Sequence, residues 1–350
     1  MRNFQYIAAS DPREALSLLR KPGTEALAGG TDLLGELKNR IRSPERVVNI
    51  RTLGEWGKIR AGRQKGLRIG AAVHLSEVEH HPSILEKFPL LAQSVSLTAT
   101  VQLRNMGTVG GNLCQHPRCW YFRSPLFPCW LKGGEKCFAV NGENKFHAIL
   151  GRKFCQSVHP SDLAPALMAL NASVKVAGTR KEWEVPLEEL YAIPDPNHRQ
   201  TTVLKPGELI SDVLLPAPVK GVRGIYLKTM ERKAWSFALV SLAAQLRFEG
   251  DTIAEARLAL GGVAPIPWRA KEAEEVLRGR KISEELTLQA GEAAVAKARP
   301  LRDNAYKVQL VRALVGEALT KLSAPANRSA ELLPEYNLQG IFFKLDHRIL

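Results

Sequence analysis

Cysteine is missing from most of this 350-residue chain: all five lie within the 42 residues from Cys114 to Cys155. Disulfide-stapled secreted proteins are short and spread their cysteines across the fold, so that class is excluded. The N-terminus, Met1-Arg2-Asn3-Phe4-Gln5-Tyr6, lacks the apolar core of a secretory signal. With an odd thiol count, this points to a reducing compartment, the cytoplasm, and to a metal site. No apolar run approaches the roughly 20 residues that span a bilayer. There is no GxGxxG, no P-loop and no Ser/His/Asp set, so no residue is assigned a catalytic role.

The chain does carry charge. Lys plus Arg minus Asp plus Glu gives 49 − 35 = +14. That excess suits a solvated surface, or a basic face for a polyanionic ligand or an acidic partner. No basic run is interleaved with aromatics, so nucleic acid is not expected. The 45% hydrophobic and 24% charged content is that of a globular protein, long enough for two or three domains.

Two glycine turns stand out. The first is Leu27-Ala28-Gly29-Gly30-Thr31-Asp32-Leu33-Leu34, a short strand entering a turn that Thr31-Asp32 caps into a helix from 33 to 40. The second, Thr108-Val109-Gly110-Gly111-Asn112, follows a helical pattern over 83–103 broken at Arg104-Asn105-Met106-Gly107. Strand, glycine turn and helix N-terminus together offer backbone N–H groups to phosphate, and a Cβ would hold the backbone away. Each turn is equally compatible with a tight strand–helix connection. Elsewhere, Ser10 caps a first helix with Pro12 in its opening turn, and strands are expected at 46–50, 67–73 and 172–176. Further strands are expected at 209–215, 224–230, 241–248 and 253–260, and helices at 267–277, 284–298 and 304–322.

The glycine turns, Val48-Asn49-Ile50, Ile69-Gly70-Ala71 and His159-Pro160-Ser161-Asp162-Leu163 occur in an order that resembles one family. Gly261-Gly262-Val263-Ala264-Pro265 and Arg302-Asp303-Asn304-Ala305-Tyr306-Lys307 extend the likeness to about residues 3–320. It is similar to the FAD-binding medium subunit of molybdenum hydroxylases, the xanthine dehydrogenase and carbon monoxide dehydrogenase type. The resemblance implies an α+β fold. A two-lobed FAD-binding domain of the vanillyl-alcohol-oxidase (PCMH) type would span 1–200, with lobes 1–60 and 61–200. A smaller α+β domain with a three-stranded antiparallel sheet would span 201–322, leaving a tail, 323–350, to lie on a partner. It implies cofactor contacts from Leu27, Ala28, Gly29, Gly30, Thr31, Asp32, Leu33, Leu34, Thr108, Gly110, Gly111, Asn112, Ser161 and Asp162. Asp162 would accept hydrogen bonds from flavin or ribose, or else cap its helix. Lys228 matches a lysine near the flavin ring.

The cysteines read C-x4-C-x9-C-x7-C-x17-C and lie in an insertion, 114–155, that the simplest family members lack. Four thiolates suit zinc or an iron–sulfur cluster, and buried unligated thiols are the third alternative. Uneven spacing departs from zinc's paired knuckles. A similar insertion in 4-hydroxybenzoyl-CoA reductase and some bacterial aldehyde oxidoreductases implies a [4Fe–4S] cluster. Cys119, Cys129, Cys137 and Cys155 would then be the ligands. Cys114 would be spare, since the family commonly has an aliphatic residue there. His116, His147 and His159 flank the cysteines as supporting or alternative ligands, or as merely hydrogen-bonded groups.

The expected function is an electron-transfer flavoprotein subunit within a heterotrimer. A molybdenum-cofactor large subunit would carry substrate chemistry, and a small subunit would carry [2Fe–2S] clusters. Ferredoxin, NAD(P) or another flavoprotein would serve as acceptor. A stand-alone flavin oxidoreductase and a zinc-stabilised binding protein are the alternatives.

Overall fold

The computed structural model describes residues 1–232 and 235–323; the expected tail contact of 323–350 falls almost entirely outside them. The chain begins with a parallel sheet ordered β1-β3-β2. Its strands are β1 (Gln5–Ala8), β2 (Thr24–Leu27) and β3 (Arg46–Asn49). The first helix, Pro12–Leu19, is capped by Asp11, whose carboxylate accepts from the N–H groups of Arg13 and Glu14. Ser10 is not the cap: its hydroxyl donates to Glu14 instead. Asp11 wins because its side chain reaches both orphan donors.

The second lobe is a five-stranded sheet ordered β4-β5-β8-β6-β7. It comprises β4 (Ile59–Ala61), β5 (Leu67–Gly70), β6 (Ser173–Ala177), β7 (Glu182–Pro186) and β8 (Leu209–Leu215). A division at residue 200 would give β8 to the C-terminal domain, yet it pairs with β5 and β6. Burial on both faces requires this: Ile210, Ser211, Asp212 and Val213 are all buried in sequence. The helical stretch expected over 83–103 is three helices: Pro82–Lys87, Pro89–Ser96 and Val101–Arg104. Pro89 bars Phe88 from helical geometry, and Ala99 turns the chain at φ 53°.

The C-terminal domain carries an antiparallel sheet ordered β12-β11-β10-β9. Its three long strands, β9 (Val222–Thr229), β10 (Val240–Glu249) and β11 (Thr252–Gly261), are those expected. The fourth, β12, is only Trp268–Arg269, taken from the stretch expected to open a helix; that helix starts at Lys271. Helices Lys271–Leu277 and Tyr306–Ser323 lie on the sheet, and Glu284–Val295 packs against both, around one apolar core. No helix among the described residues is long and apolar enough to cross a membrane.

One buried charge ties the second lobe's sheet. Asp212 on β8 is wholly buried and accepts from Arg68 Nε at 2.5 Å and Nη2 at 2.6 Å. Asp212→Ala removes both charge-assisted bonds to the half-buried Arg68, at an expected loss of about 2 kcal/mol. The urea midpoint of the variant measures it.

Candidate functional site: a two-turn cleft and a sulfur pocket

The two glycine turns face each other across one cleft of about 530 Å³, a size that takes cofactors. Ala28, Gly29, Gly30, Thr31, Asp32 and Leu33 line one wall, and Thr108, Gly110, Gly111 and Asn112 the other. A Cβ on Gly29 would collide with the carbonyl of Met106, and one on Gly110 would meet Ala71 Cβ at 2.9 Å. These two glycines are therefore required by packing of the turns themselves. Gly30 is required by its φ of +74°. Leu27 and Leu34 do not line the cleft; their side chains pack beneath Gly30.

The turns differ in what they offer. Among the described residues, the N–H groups of Gly30, Thr31 and Asp32 donate to no other protein group, which leaves them for a ligand. In the second turn, Val109 and Gly110 donate to Val73 and Ala71, and Gly111 to the Thr108 hydroxyl, which caps the helix Val109–Leu113. That turn contributes close-packed backbone and the Thr108 and Asn112 side chains. The Ser161 hydroxyl donates to Asn112 Oδ1 at 2.5 Å and accepts from Ala164 N–H, so Ser161, not Asp162, caps the following helix.

Asp162 lines the cleft, but its carboxylate accepts from Tyr226 Oη at 2.8 Å and Lys228 Nζ at 2.7 Å. Burial pushes the Asp162 pKa up, against Lys228 and Tyr226, which pull it down. The Lys228 side chain is itself buried, donates also to Leu97 O, and does not line the cleft. It braces Asp162 from β9, across the domain boundary.

Asp32 also differs from expectation, making no side-chain cap bond. Its carboxylate accepts from Arg118, from Arg123 Nη2 at 2.7 Å and from His116 N–H at 2.8 Å. Burial works against the charged form, but the two arginines outweigh it and hold its pKa low. One helical turn on, buried Glu36 meets His116 at 3.0 Å, Arg123 at 3.1 Å and Arg42 at 3.4 Å. Asp32, Glu36 and His116 bring three metal-type donors within 4.8 Å, yet three arginines already neutralise the carboxylates. The trio is an anchor for the cysteine insertion.

Four of the five cysteines converge. Cys119, Cys129, Cys137 and Cys155 line one small internal pocket with Tyr121, Phe122, Trp130, Leu131 and Ser157. Cys114 faces the glycine cleft instead and packs on the main core. Backbone N–H groups point at the sulfurs: Phe122 and Tyr121 at Cys119, Gln156, Ala139 and Val140 at Cys137, and Ser157 at Cys155. Burial pushes the free thiols up, Cys119 to about 12 and Cys155 to about 11, while these donors favour the thiolate. Among the described residues, no three of these sulfurs lie within 4.8 Å of one another. A zinc tetrathiolate would bring them to about 3.8 Å, from Zn–S bonds of about 2.3 Å.

Of the flanking histidines, His116 meets Glu36, and His159 lies edge-on to Tyr191 with its pKa lowered by burial to about 4. His147 alone approaches a sulfur: its Nε2 lies 3.2 Å from Cys119 Sγ. Sequence reasoning missed Arg118, Trp235 and Phe237, which also line the cleft, with Arg118 lying 5.1 Å from the Phe237 ring centre. The signal was an exposed aromatic pair, Trp235-Ser236-Phe237, in a loop without periodicity. Trp235 stands at φ 52°, a strained conformation for a bulky residue.

Two outcomes follow from this geometry. Gly29→Ala forces the turns apart at a backbone contact, so the apoprotein itself should lose about 3 kcal/mol or more, read as a lower melting temperature without any ligand. Asp32→Asn weakens the hold on Arg118 and Arg123, so a protease should cut within 114–155 faster than in the wild-type apoprotein.

The model of the FAD binding domain in molybdopterin dehydrogenase matches residues 2–218. That of the CO dehydrogenase flavoprotein C-terminal domain matches residues 225–322. The aldehyde oxidoreductase FAD-binding subunit PaoB of Escherichia coli (strain K12) is 36% identical, over 93% of this chain and 100% of its own length. The carbon monoxide dehydrogenase medium chain of Hydrogenophaga pseudoflava is 27% identical, over 90% of this chain and 96% of its own. A solved carbon monoxide dehydrogenase from the same organism superposes with a TM-score of 0.72 at 25% identity, covering 91% of this chain and 96% of its own. The two turns, the domain that braces them and these matches agree: the chain belongs to the FAD-binding medium subunits of the molybdopterin dehydrogenase family.

Proposed function

We propose that this chain is the electron-transfer subunit of a cytoplasmic molybdenum hydroxylase complex, with FAD in the two-turn cleft and a [4Fe–4S] cluster on Cys119, Cys129, Cys137 and Cys155. The observation that carries the cluster is the sorting of the cysteines: four share one pocket supplied with N–H donors, and the fifth faces the cleft. The uneven spacing of these cysteines along the chain departs from zinc's paired knuckles and favours a cluster. A bound flavin supplies exchange between one-electron and two-electron carriers, and a cluster supplies one-electron transfer.

The residues of this chain then have distinct tasks. The free N–H groups of Gly30, Thr31 and Asp32 would bind the pyrophosphate. Asp162, held by Lys228 and Tyr226, presents one fixed carboxylate to the cleft. Trp235 and Phe237 add aromatic surface to the wall of the cleft. Among the described residues, each carboxylate lining the cleft is already paired, Glu25 with Arg42, Asp32 with Arg118 and Asp162 with Lys228, which supports substrate chemistry on a molybdenum-cofactor large subunit. The names of the relatives, an aldehyde oxidoreductase and a carbon monoxide dehydrogenase, support the same division. A small subunit with [2Fe–2S] clusters would deliver or receive electrons, and ferredoxin, NAD(P) or another flavoprotein would be the outer acceptor.

The test is flavin, iron and acid-labile sulfide per chain after anaerobic purification, for the wild type and five single Cys→Ser variants. About four irons are expected in the wild type and in Cys114→Ser, following the cluster stoichiometry, with marked loss in the other four. Zinc in every sample overturns the cluster, and a preparation without bound FAD under any condition overturns the cleft assignment.

A further inference from the structure

The motif Asp303-Asn304-Ala305-Tyr306-Lys307 has a structural partner far away in sequence. Five consecutive residues, 144–148, are each hydrogen-bonded to it. Asp303 N–H donates to Asn144 Oδ1 at 2.9 Å, and Tyr306 Oη donates to Lys145 O at 3.0 Å. Lys307 Nζ donates to Phe146 O at 3.0 Å and to Gly262 O at 2.7 Å. Asn304 Nδ2 donates to the carbonyls of His147 and Ala148, at 3.1 and 3.2 Å. Asn304 and Lys307 are wholly buried. A loop held at every residue from another domain has been fixed for the sake of something it carries.

What it carries is His147. The ring is buried, lies edge-on to Trp120 with centres 5.5 Å apart, and tilts against Tyr121. Among the described residues its Nδ1 has no hydrogen-bond partner, while Nε2 lies 3.2 Å from Cys119 Sγ. A metal-bound thiolate has no proton to give, so the contact is satisfied only with the proton on Nε2.

We infer that His147 is a positioning residue that donates Nε2–H to Cys119 Sγ and raises the reduction potential of the cluster, with Asp303–Lys307 holding it in place from the C-terminal domain. The inference rests on the [4Fe–4S] reading above. Its physical basis is simple. Reduction adds negative charge to the cluster and its sulfur ligands, and a fixed N–H dipole aimed at one of them stabilises the added charge.

The experiment is a spectroscopic redox titration of the cluster in the assembled complex, for wild type, His147→Leu and His147→Gln, with iron counted in each. A glutamine amide can restore a donor at about the same reach; leucine cannot. Because the bond is stronger to the reduced cluster than to the oxidised one, its loss is expected to lower the reduced-to-oxidised ratio about tenfold, ~59 mV more negative for a one-electron couple. His147→Leu is expected to keep its iron and show this shift, and His147→Gln to titrate near wild type. If leucine costs the iron while glutamine keeps both iron and potential, the donor role also stands. It falls if leucine titrates with wild type, if leucine and glutamine shift together, or if both lose iron. A wild type without iron would instead remove the cluster reading itself, which the iron count makes visible.

Discussion

One backbone contact sets the geometry of the whole site. Gly29 lies directly against the carbonyl of Met106, so the two lobes meet main chain to main chain, while Gly110 packs on Ala71 within the second lobe. Contacts of this kind are unforgiving, because no side chain can rotate to relieve an added carbon. The width of the cleft is therefore fixed by backbone, not by side-chain packing. A ligand bound between the turns inherits that rigidity.

From the same turn, Asp32 and Glu36 reach outward and gather Arg42, Arg118, Arg123 and His116. Burying so many charges offers little stability, since desolvation offsets most of the attraction. What it does offer is registry: a guanidinium can satisfy a buried carboxylate in few positions, so the insertion can sit in few places. Its own core, built from Tyr121, Phe122, Cys129 and Ala139, is too small to fold unaided. The insertion depends on this ionic anchor on one side and on the Asp303–Lys307 clamp on the other.

What was legible in the sequence was local. Gly29-Gly30 and Gly110-Gly111 announce turns because conformational freedom and close approach are properties of the residue itself. The long strands of the C-terminal sheet follow from alternation over eight to ten residues, whereas Trp268–Arg269 is too short to alternate. Cys114 separates from its neighbours by position next to the turn, and the structure puts it there. Partnerships over distance were not legible. Asp32 meets residues 84 to 91 positions away, and Asp162 meets Tyr226 and Lys228, 64 and 66 positions away. Nothing in a carboxylate's immediate neighbours says whether it will face a ligand or an arginine. The placement of β8 between β5 and β6 likewise depends on which sheet has an open edge.

The ordering of Arg118 and Cys119 then takes on meaning. Arg118 lines the glycine cleft and Cys119, one peptide on, lines the sulfur pocket. Asp32 holds Arg118, and a single peptide joins Arg118 to Cys119, so a shift of one is felt at the other. Two sites that look separate in the sequence share a rigid boundary. The Asp32 carboxylate also holds its own turn, the one with free N–H groups, against that boundary.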